Sequence, residues 1–239
     1  MSEWWTYSLS DFLLFSPRTY YRLFELYNRA IWPGQLVALA LGAAILGLLR
    51  VRAAWQGRAA AVLLAACWAF VAWAFLLERY STINWAASYF AAAFLLEALL
   101  LLWRGGVQGL SFRPRPDLVG RTAASIFLFA LVLQPLIGPL LGRPWTQVEV
   151  FGIAPDPTVI ATMGLLLIAS GRMAWELLVV PLSWCAISGA TLWAMSSSDA
   201  AIPIPVASLV LLLAIWNSFQ GARDRSRRVS RSREEAATP

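Results

Sequence analysis

The stretch AAAVLLAACWAFVAWAFLL, residues 59–77, contains no charged side chain, no proline and no glycine. As an α-helix it is roughly 28 Å long at about 1.5 Å per residue, close to the hydrocarbon thickness of about 30 Å in a bilayer. The whole chain is 59% hydrophobic and only 13% charged, whereas soluble domains have about 25% charged residues. The segment therefore predicts a helix that crosses a membrane.

Further apolar runs flank this segment on both sides and are separated by proline, glycine and arginine. Together they predict an all-α fold, a polytopic membrane helix bundle with seven transmembrane helices. Six crossings are the alternative, because the fifth run is short and is compatible with a tilted or re-entrant segment. The predicted spans are Ile31–Leu49, Ala59–Leu77, Ile83–Trp103, Thr122–Leu141, Pro157–Ser170, Met173–Met195 and Ile202–Trp216.

The orientation of the bundle is predicted from its arginines, which are its only basic residues. Placing the N-terminus outside and the C-terminus inside leaves five of the 19 arginines on the outer side, as the positive-inside rule favours. With six crossings the arginine-rich tail would lie outside. Arginine without lysine in an alanine- and leucine-rich chain is typical of a GC-rich bacterial genome, so the expected location is the bacterial cytoplasmic (inner) membrane, multi-pass.

Three regions are expected from this pattern. Residues 1–30 form an N-terminal interfacial amphipathic segment, with a helix that begins at Ser16 and Pro17. Residues 31–216 form the transmembrane domain, and residues 217–239 form a disordered basic cytoplasmic tail. The tail is expected to contact anionic lipid, and no nucleic acid partner is expected. The helix in the first region has Arg18, Arg22, Glu25 and Arg29 on one face and Tyr20, Phe24, Tyr27 and Ile31 on the other.

The chain contains no histidine, and this disfavours every class of function that depends on imidazole. Haem, copper and most zinc sites and Ser-His-Asp catalysis all use imidazole. Cys67 and Cys185 lie in apolar runs and form no CxxC motif, which is typical of small buried hydrophobic residues. We therefore expect no metal site and no cofactor, and an enzymatic function is disfavoured, since a site would have to use carboxylates and arginines alone.

Charged side chains within the predicted spans are the first candidates for chemistry, because each costs about 2.5 to 3.5 kcal/mol to insert. Glu97 lies deep in the third span, and Glu176 lies near the inner end of the sixth. If these spans pack together, the two carboxyl groups form an ion or proton site. The structural alternatives are an interhelical partner for Glu97 and a local ion pair of Glu176 with Arg172, four residues earlier.

Two further groups of candidates lie near the middle of the fourth span and in the outer loop that follows it. In the fourth span Pro135 frees a backbone carbonyl beside Gln134, which is compatible with a hydrophilic passage or simply with a packed kink. The outer loop before the fifth span contains Glu149 and Asp156. Together with Glu78 and Asp199 these acids predict an acidic mouth that attracts cations. The alternative is helix capping, with Asp156 as the N-cap.

Two stretches of this chain resemble a known family. They are FELYNRAIWPGQ, residues 24–35, and FGIAPDPTVIATMGLLLIA, residues 151–169. With the spans between them they resemble the bacterial integral membrane family with domain of unknown function 6064 (DUF6064). The resemblance implies a polytopic membrane protein, sometimes labelled permease-like, and implies no defined activity. A cysteine often stands in that family at the position of Asp156, so a thiol or soft-metal role in relatives would not transfer to this chain.

Two functional hypotheses follow. The first is a small permease or transporter of an ion or small molecule, with Glu97 as the protonatable group, Gln134 and Pro135 lining the passage, and Glu176 with Arg172 as the inner gate. The second is an accessory or scaffold subunit of a larger membrane complex. The expected partners are the lipid bilayer and either further copies of the chain or other membrane subunits.

Overall fold

A computed structural model describes residues 15–51, 53–113, 115–170 and 173–237. Of the chain, 77% is helical, and the described residues contain no strand, which confirms the all-α prediction. A single antiparallel bridge joins Phe112 to Ala169. Arg172 and the N-terminal residues 1–14 lie outside the described residues, so the structure does not place the predicted Arg172 gate.

The helices follow one another with short connections, as expected for a bundle. Three of them continue as π-helical turns, over Val71–Leu77, Leu102–Val107 and Phe129–Leu133. Short 3₁₀ turns cover Tyr80–Thr82, Trp145–Gln147 and Ser198–Ala201. The α-helices are α1 (Pro17–Ala30), α2 (Gly34–Leu48), α3 (Gln56–Phe70), α4 (Ala87–Leu101), α5 (Leu118–Leu128), α6 (Gln134–Leu140), α7 (Pro155–Leu167), α8 (Glu176–Ala194) and α9 (Pro203–Ala237).

Among the described residues, five helical stretches are long and apolar enough to cross a membrane, and a sixth is added if α1 and α2 form one span. These two helices meet at an angle of 88°. Such lengths and compositions are those of a membrane protein. The seven-span count and the orientation stay predictions. The five stretches are Gln56–Thr82, Ala87–Val107, Leu118–Leu140, Glu176–Ala194 and Ser198–Gly221.

Helix α1 begins where the sequence predicts. The Ser16 hydroxyl accepts a hydrogen bond from the Thr19 N–H at 3.2 Å, and a proline occupies the first turn. The apolar face packs onto the bundle, with the ring of Phe24 at 4.8 Å from that of Phe75. The Tyr27 hydroxyl donates to the Ile153 carbonyl at 3.0 Å. The helix is thus fastened to the protein along its apolar side, and its position at a membrane interface stays a prediction.

Helix α7 is the centre of the bundle, and all 13 of its residues are buried. At about 1.5 Å per residue it is only about 20 Å long, so loops from both ends of the bundle reach inward to meet it. At its C-terminal end Ser170 N–H donates to the Ser111 carbonyl at 2.7 Å. Gly164 allows the close approach of α5, because a Cβ there would lie 2.8 Å from the Ala123 carbonyl oxygen.

The backbone of α9 is helical from Pro203 to Ala237, a range that includes most of the basic tail, residues 217–239. The disorder and the cytoplasmic position of this tail stay predictions. Arginine, alanine and glutamate are good helix formers, and no proline interrupts the helix between Pro205 and Pro239. The charge density that suggests disorder is therefore compatible with a helix that starts in the apolar bundle and extends beyond it.

Candidate functional site

A small cavity lies where the start of α6, the outer loop, the start of α7 and the turn Ser198–Ala201 meet. Its volume is about 20 Å³, room for about one water-sized group. Gln134, Pro135, Glu149 and Asp156, which the sequence offers as two separate groups, meet in this outer cavity. The residues that line it are Gln134, Pro135, Ile137, Gly138, Arg143, Gln147, Val148, Glu149, Asp156, Asp199 and Ile202.

Local structure explains how these side chains reach one point. Gln134 and Pro135 stand at the junction between the π-helical turn Phe129–Leu133 and α6. A proline has no N–H to donate, and such a site commonly ends one helical pattern and starts another. Glu149 lies in the irregular outer loop, and Asp199 in a 3₁₀ turn. The cavity therefore forms from helix ends and loops, where side chains can converge.

The charges around the outer cavity are unbalanced, with three carboxyl groups facing one guanidinium. Arg143 forms an ion pair with Asp199. Its guanidinium also lies 4.3 Å from the centre of the Tyr21 ring. The Tyr21 hydroxyl is 2.6 Å from the Ser197 hydroxyl oxygen and donates to Asp199 at 3.4 Å. Helix α1 thus contacts two of the cavity residues, Arg143 and Asp199, through Tyr21, a residue that the sequence does not single out.

Three acceptor oxygens at the outer cavity are left without a partner. Gln134 Oε1, Glu149 Oε2 and Asp199 Oδ1 are buried and accept no hydrogen bond from the part of the chain that the structure describes. Gln134 is only 8% exposed, and so is Asp199. A buried acceptor without a donor costs about 1 to 3 kcal/mol. The cavity therefore offers acceptors and negative charge to a donor-rich or cationic group.

Glu149 is the acid of the outer cavity that belongs to no helix. Burial raises its pKa well above the ordinary range, the neighbouring carboxyl groups of Asp156 and Asp199 raise it further, and Arg143 lowers it. A raised pKa keeps the carboxyl protonated to a higher pH than that of an ordinary glutamate. A cation placed in the cavity would favour the charged form of Glu149.

Asp156 is not the N-cap that the sequence suggests. Helix α7 starts two residues before the predicted Pro157, at Pro155, and its cap is Ala154. One carboxylate oxygen of Asp156 accepts from Trp184 Nε1 at 2.7 Å, and the other accepts from the Ser188 hydroxyl at 2.7 Å. Asp156 therefore joins α7 to α8 while it forms part of the cavity wall.

The turn before α7 explains the motif FGIAPDPT. Gly152 has a φ of +79°, which is unfavourable for other residues, and a Cβ there would lie 3.2 Å from the Cys67 sulfur. Its N–H donates to the Thr158 hydroxyl at 2.8 Å, and that hydroxyl donates to the Ala154 carbonyl at 2.7 Å. These hydrogen bonds pair polar groups at the buried start of α7, where the sequence suggests an aspartate cap.

An aromatic layer lies beyond Asp156. The ring of Trp184 meets that of Phe94 edge-on at 5.0 Å, and Phe94 lies 4.4 Å from Trp68. Trp68 Nε1 donates to the Thr162 hydroxyl at 2.8 Å. These three rings join α3, α4, α7 and α8 on the side of Asp156 that faces away from the outer loop.

Glu97 lies on α4 three residues beyond Phe94 and is 0% exposed. Neither carboxyl oxygen has a hydrogen-bond partner among the described residues. Glu176 has a different environment, because its side chain is 44% exposed and forms an ion pair with Arg104 at 2.5 Å. The structure thus gives Glu176 an ion-pair partner on α4's π-helical extension and keeps Glu97 away from the outer cavity.

In the described ranges no three His, Cys, Asp or Glu side chains lie so that they could hold one metal ion. Glu78, expected near the acidic mouth, instead lines a separate outer groove with Arg18 and Arg79. Asp199 does join the cavity. One of the two additional acids proposed from sequence is therefore part of this arrangement.

Comparison with known proteins identifies the family. The model described as "Family of unknown function (DUF6064)" matches residues 18–225. None of the curated proteins and none of the solved structures compared with the chain matches it. The matched range includes both stretches on which the resemblance rested, residues 24–35 and 151–169. The resemblance is confirmed, and the chain belongs to the DUF6064 family.

Proposed function

We propose that this protein is a small membrane carrier for a cationic solute and that the outer cavity is its binding site. The observation that supports this most directly is the set of three acids, one arginine and three unpartnered acceptor oxygens around a space for one small group. In the proposal the bundle crosses a bacterial inner membrane seven times, with the outer cavity open to the outside.

The chemistry of the wall favours a positively charged donor over a neutral solute or an anion. An ammonium group is close to water in size and has N–H donors for the free oxygens of Gln134, Glu149 and Asp199. Charge-assisted hydrogen bonds of this kind are about twice as strong as neutral ones. An anion would instead meet Glu149 and Asp156 on the walls, with Arg143 already paired to Asp199.

A carrier also needs a layer of side chains that closes the path through the bundle. Beyond this layer it needs a second polar group that can receive the solute. In the proposal the contacting rings of Trp68, Phe94 and Trp184 serve as this layer, and Glu97, one helical turn past Phe94, is the second polar position. The π-helical turns in three of the membrane-length helices supply places where backbone hydrogen bonds can rearrange. Cation movement past the aromatic layer toward Glu97 is the transport path of the proposal.

Uptake of methylammonium into proteoliposomes tests the site. In the full chain Glu149→Gln removes one charge and is expected to lower uptake at least about tenfold, because the cation loses a charged acceptor. Glu78→Gln removes an exposed outer acid beyond the cavity and should leave uptake within about twofold. Wild-type uptake no faster than leakage into empty liposomes would refute the carrier. Stoichiometric co-purification of another membrane protein, with no uptake, would favour the accessory-subunit alternative.

The raised pKa of Glu149 predicts a pH dependence of binding. A bound cation favours the carboxylate, so at a pH below the pKa of Glu149 the cation must displace a proton. Affinity for methylammonium should therefore rise with pH, by up to about tenfold per unit, and level off above that pKa. Primary amines stay protonated between about pH 5 and about pH 8, because the pKa of an ordinary alkyl ammonium group such as that of lysine is about 10.4.

Titration of the purified protein with methylammonium between about pH 5 and about pH 8, followed by thermal stability, measures this dependence. The groups that face Glu149 are Asp156 on α7, Asp199 on the 3₁₀ turn, Arg143 in the loop and Tyr20 on α1. Glu149→Gln should flatten the profile. An affinity that falls as the pH rises would contradict the assignment.

A further inference from the structure

A second concave surface lies beside the outer cavity, between α2 on one side and the π-helical turn Phe129–Leu133 with α6 on the other. This lateral groove has a volume of about 590 Å³, within the range of about 300 to 1,000 Å³ typical of small-molecule sites. Arg29, Trp32 and Trp145 stand at its edge. Its apolar wall is formed by Leu39, Leu131, Val132, Pro135, Leu136, Val148 and Val150.

The lateral groove and the outer cavity are separated by a wall only one residue thick. Pro135 and Val148 line both spaces. The backbone at Val148 is extended, with φ −72° and ψ 147°, and side chains of an extended chain alternate between opposite sides. Accordingly Val148 and Val150 line the groove, whereas Glu149 between them lines the cavity.

The groove's charge argues against an anionic occupant. Its one charged side chain, Arg29, is already paired with Glu25 at 2.7 Å. Its buried polar group without a partner among the described residues is again an acceptor, Gln35 Oε1. An apolar body with a positive head therefore fits the two spaces better than an acidic lipid does.

We propose that the carried solute is an amphiphilic primary ammonium compound that enters from the outer leaflet. Its apolar body lies in the lateral groove, and its head passes between Pro135 and Val148 into the outer cavity. The inference rests on the proposed function and adds the substrate class. A cavity of about 20 Å³ admits the –NH₃⁺ group and excludes a trimethylated head. The three N–H donors match the free oxygens of Gln134, Glu149 and Asp199.

The test is competition against methylammonium uptake by the full chain in proteoliposomes, with dodecylammonium and dodecyltrimethylammonium as inhibitors. The two share charge and tail, so their partitioning into the bilayer is similar and the head decides the difference. Dodecylammonium is expected to inhibit at a concentration at least about tenfold lower than the trimethylated compound.

Groove-filling variants provide the second comparison. Val132 lies in the groove and is 46% exposed, so Val132→Trp fills the space without disturbing the core. Val132→Trp should reduce the ratio of the affinity for dodecylammonium to the affinity for methylammonium, called the preference for dodecylammonium, by about tenfold. The smaller Val132→Phe should reduce this ratio by less. Val179→Trp, on the exposed side of α8 and 60% exposed, is the matched control and should leave the preference unchanged.

The outcomes separate this inference from the proposed function. If methylammonium uptake depends on Glu149 but both groove variants keep the preference for dodecylammonium within about twofold, the amphiphile inference is wrong and the carrier stands. Equal inhibition by the primary and trimethylated heads would also overturn it. If methylammonium is not taken up at all, both proposals fail.

Discussion

Asp156→Ala is expected to lower the free energy of unfolding by about 2 to 5 kcal/mol. The change removes the acceptor of two buried donors at once, Trp184 Nε1 and the Ser188 hydroxyl, each held at 2.7 Å. Asp156, Trp184 and Ser188 are all buried, so the change leaves two donors unpaired away from bulk water. Thermal unfolding of the purified wild type and variant in one detergent measures the loss.

Asp156→Asn is the matched comparison and should cost less, about 1 kcal/mol, because its oxygen can accept from Trp184 and its amide can donate to the Ser188 oxygen. Ser188→Ala in the alanine background should cost little more, since the serine donor is already unpaired there. If Asp156→Ala were no less stable than wild type, Asp156 would not join α7 to α8.

The apolar runs of this chain predict its membrane-length helices, because burial in lipid or protein selects the same residue types. Charged and proline-containing segments mark the ends, and the cap at Ser16 places the start of α1 correctly. The full burial of α7 does not follow from its sequence. A short apolar helix gives the same pattern whether lipid or other helices surround it.

The sequence predicts which polar residues of the outer cavity are candidates, but it does not predict that they meet. Gln134, Glu149 and Asp156 stand out as polar residues near apolar spans, but nothing local indicates that they converge. Their meeting depends on how loops fold back over helix ends, which has no sequence period. The contact of Arg143 with Tyr21 joins segments more than a hundred residues apart along the chain, and no local pattern indicates it.

Asp156 shows why a local motif can mislead. An aspartate before an apolar run is a good N-cap, and a proline after it supports that interpretation. A second proline, Pro155, takes the first helical position instead, and Thr158 satisfies the turn. The aspartate is thereby free to bond with Trp184 and Ser188, 28 and 32 residues later in the chain.

Glu97→Gln is expected to reduce methylammonium uptake by at least about 100-fold while changing the free energy of unfolding by less than about 1 kcal/mol. Glutamine has nearly the same shape, and Glu97 has no hydrogen-bond or ion-pair partner among the described residues that the change would strand. Arg104, which shares its helix face, is paired with Glu176. The structural-partner alternative for Glu97 therefore lacks its partner in the described part of the chain.

The reason for the loss of uptake is that a fully buried carboxyl can alternate between a neutral form and an anion that receives a cation, whereas an amide can do neither. Glu176→Gln is the control, because this half-exposed acid lies nearby and pairs with Arg104. It should lower stability by about 1 kcal/mol or less and retain most of the uptake. A Glu97→Gln protein that loses most of its stability, or one that transports normally, would show that Glu97 is not the acid on the transport path.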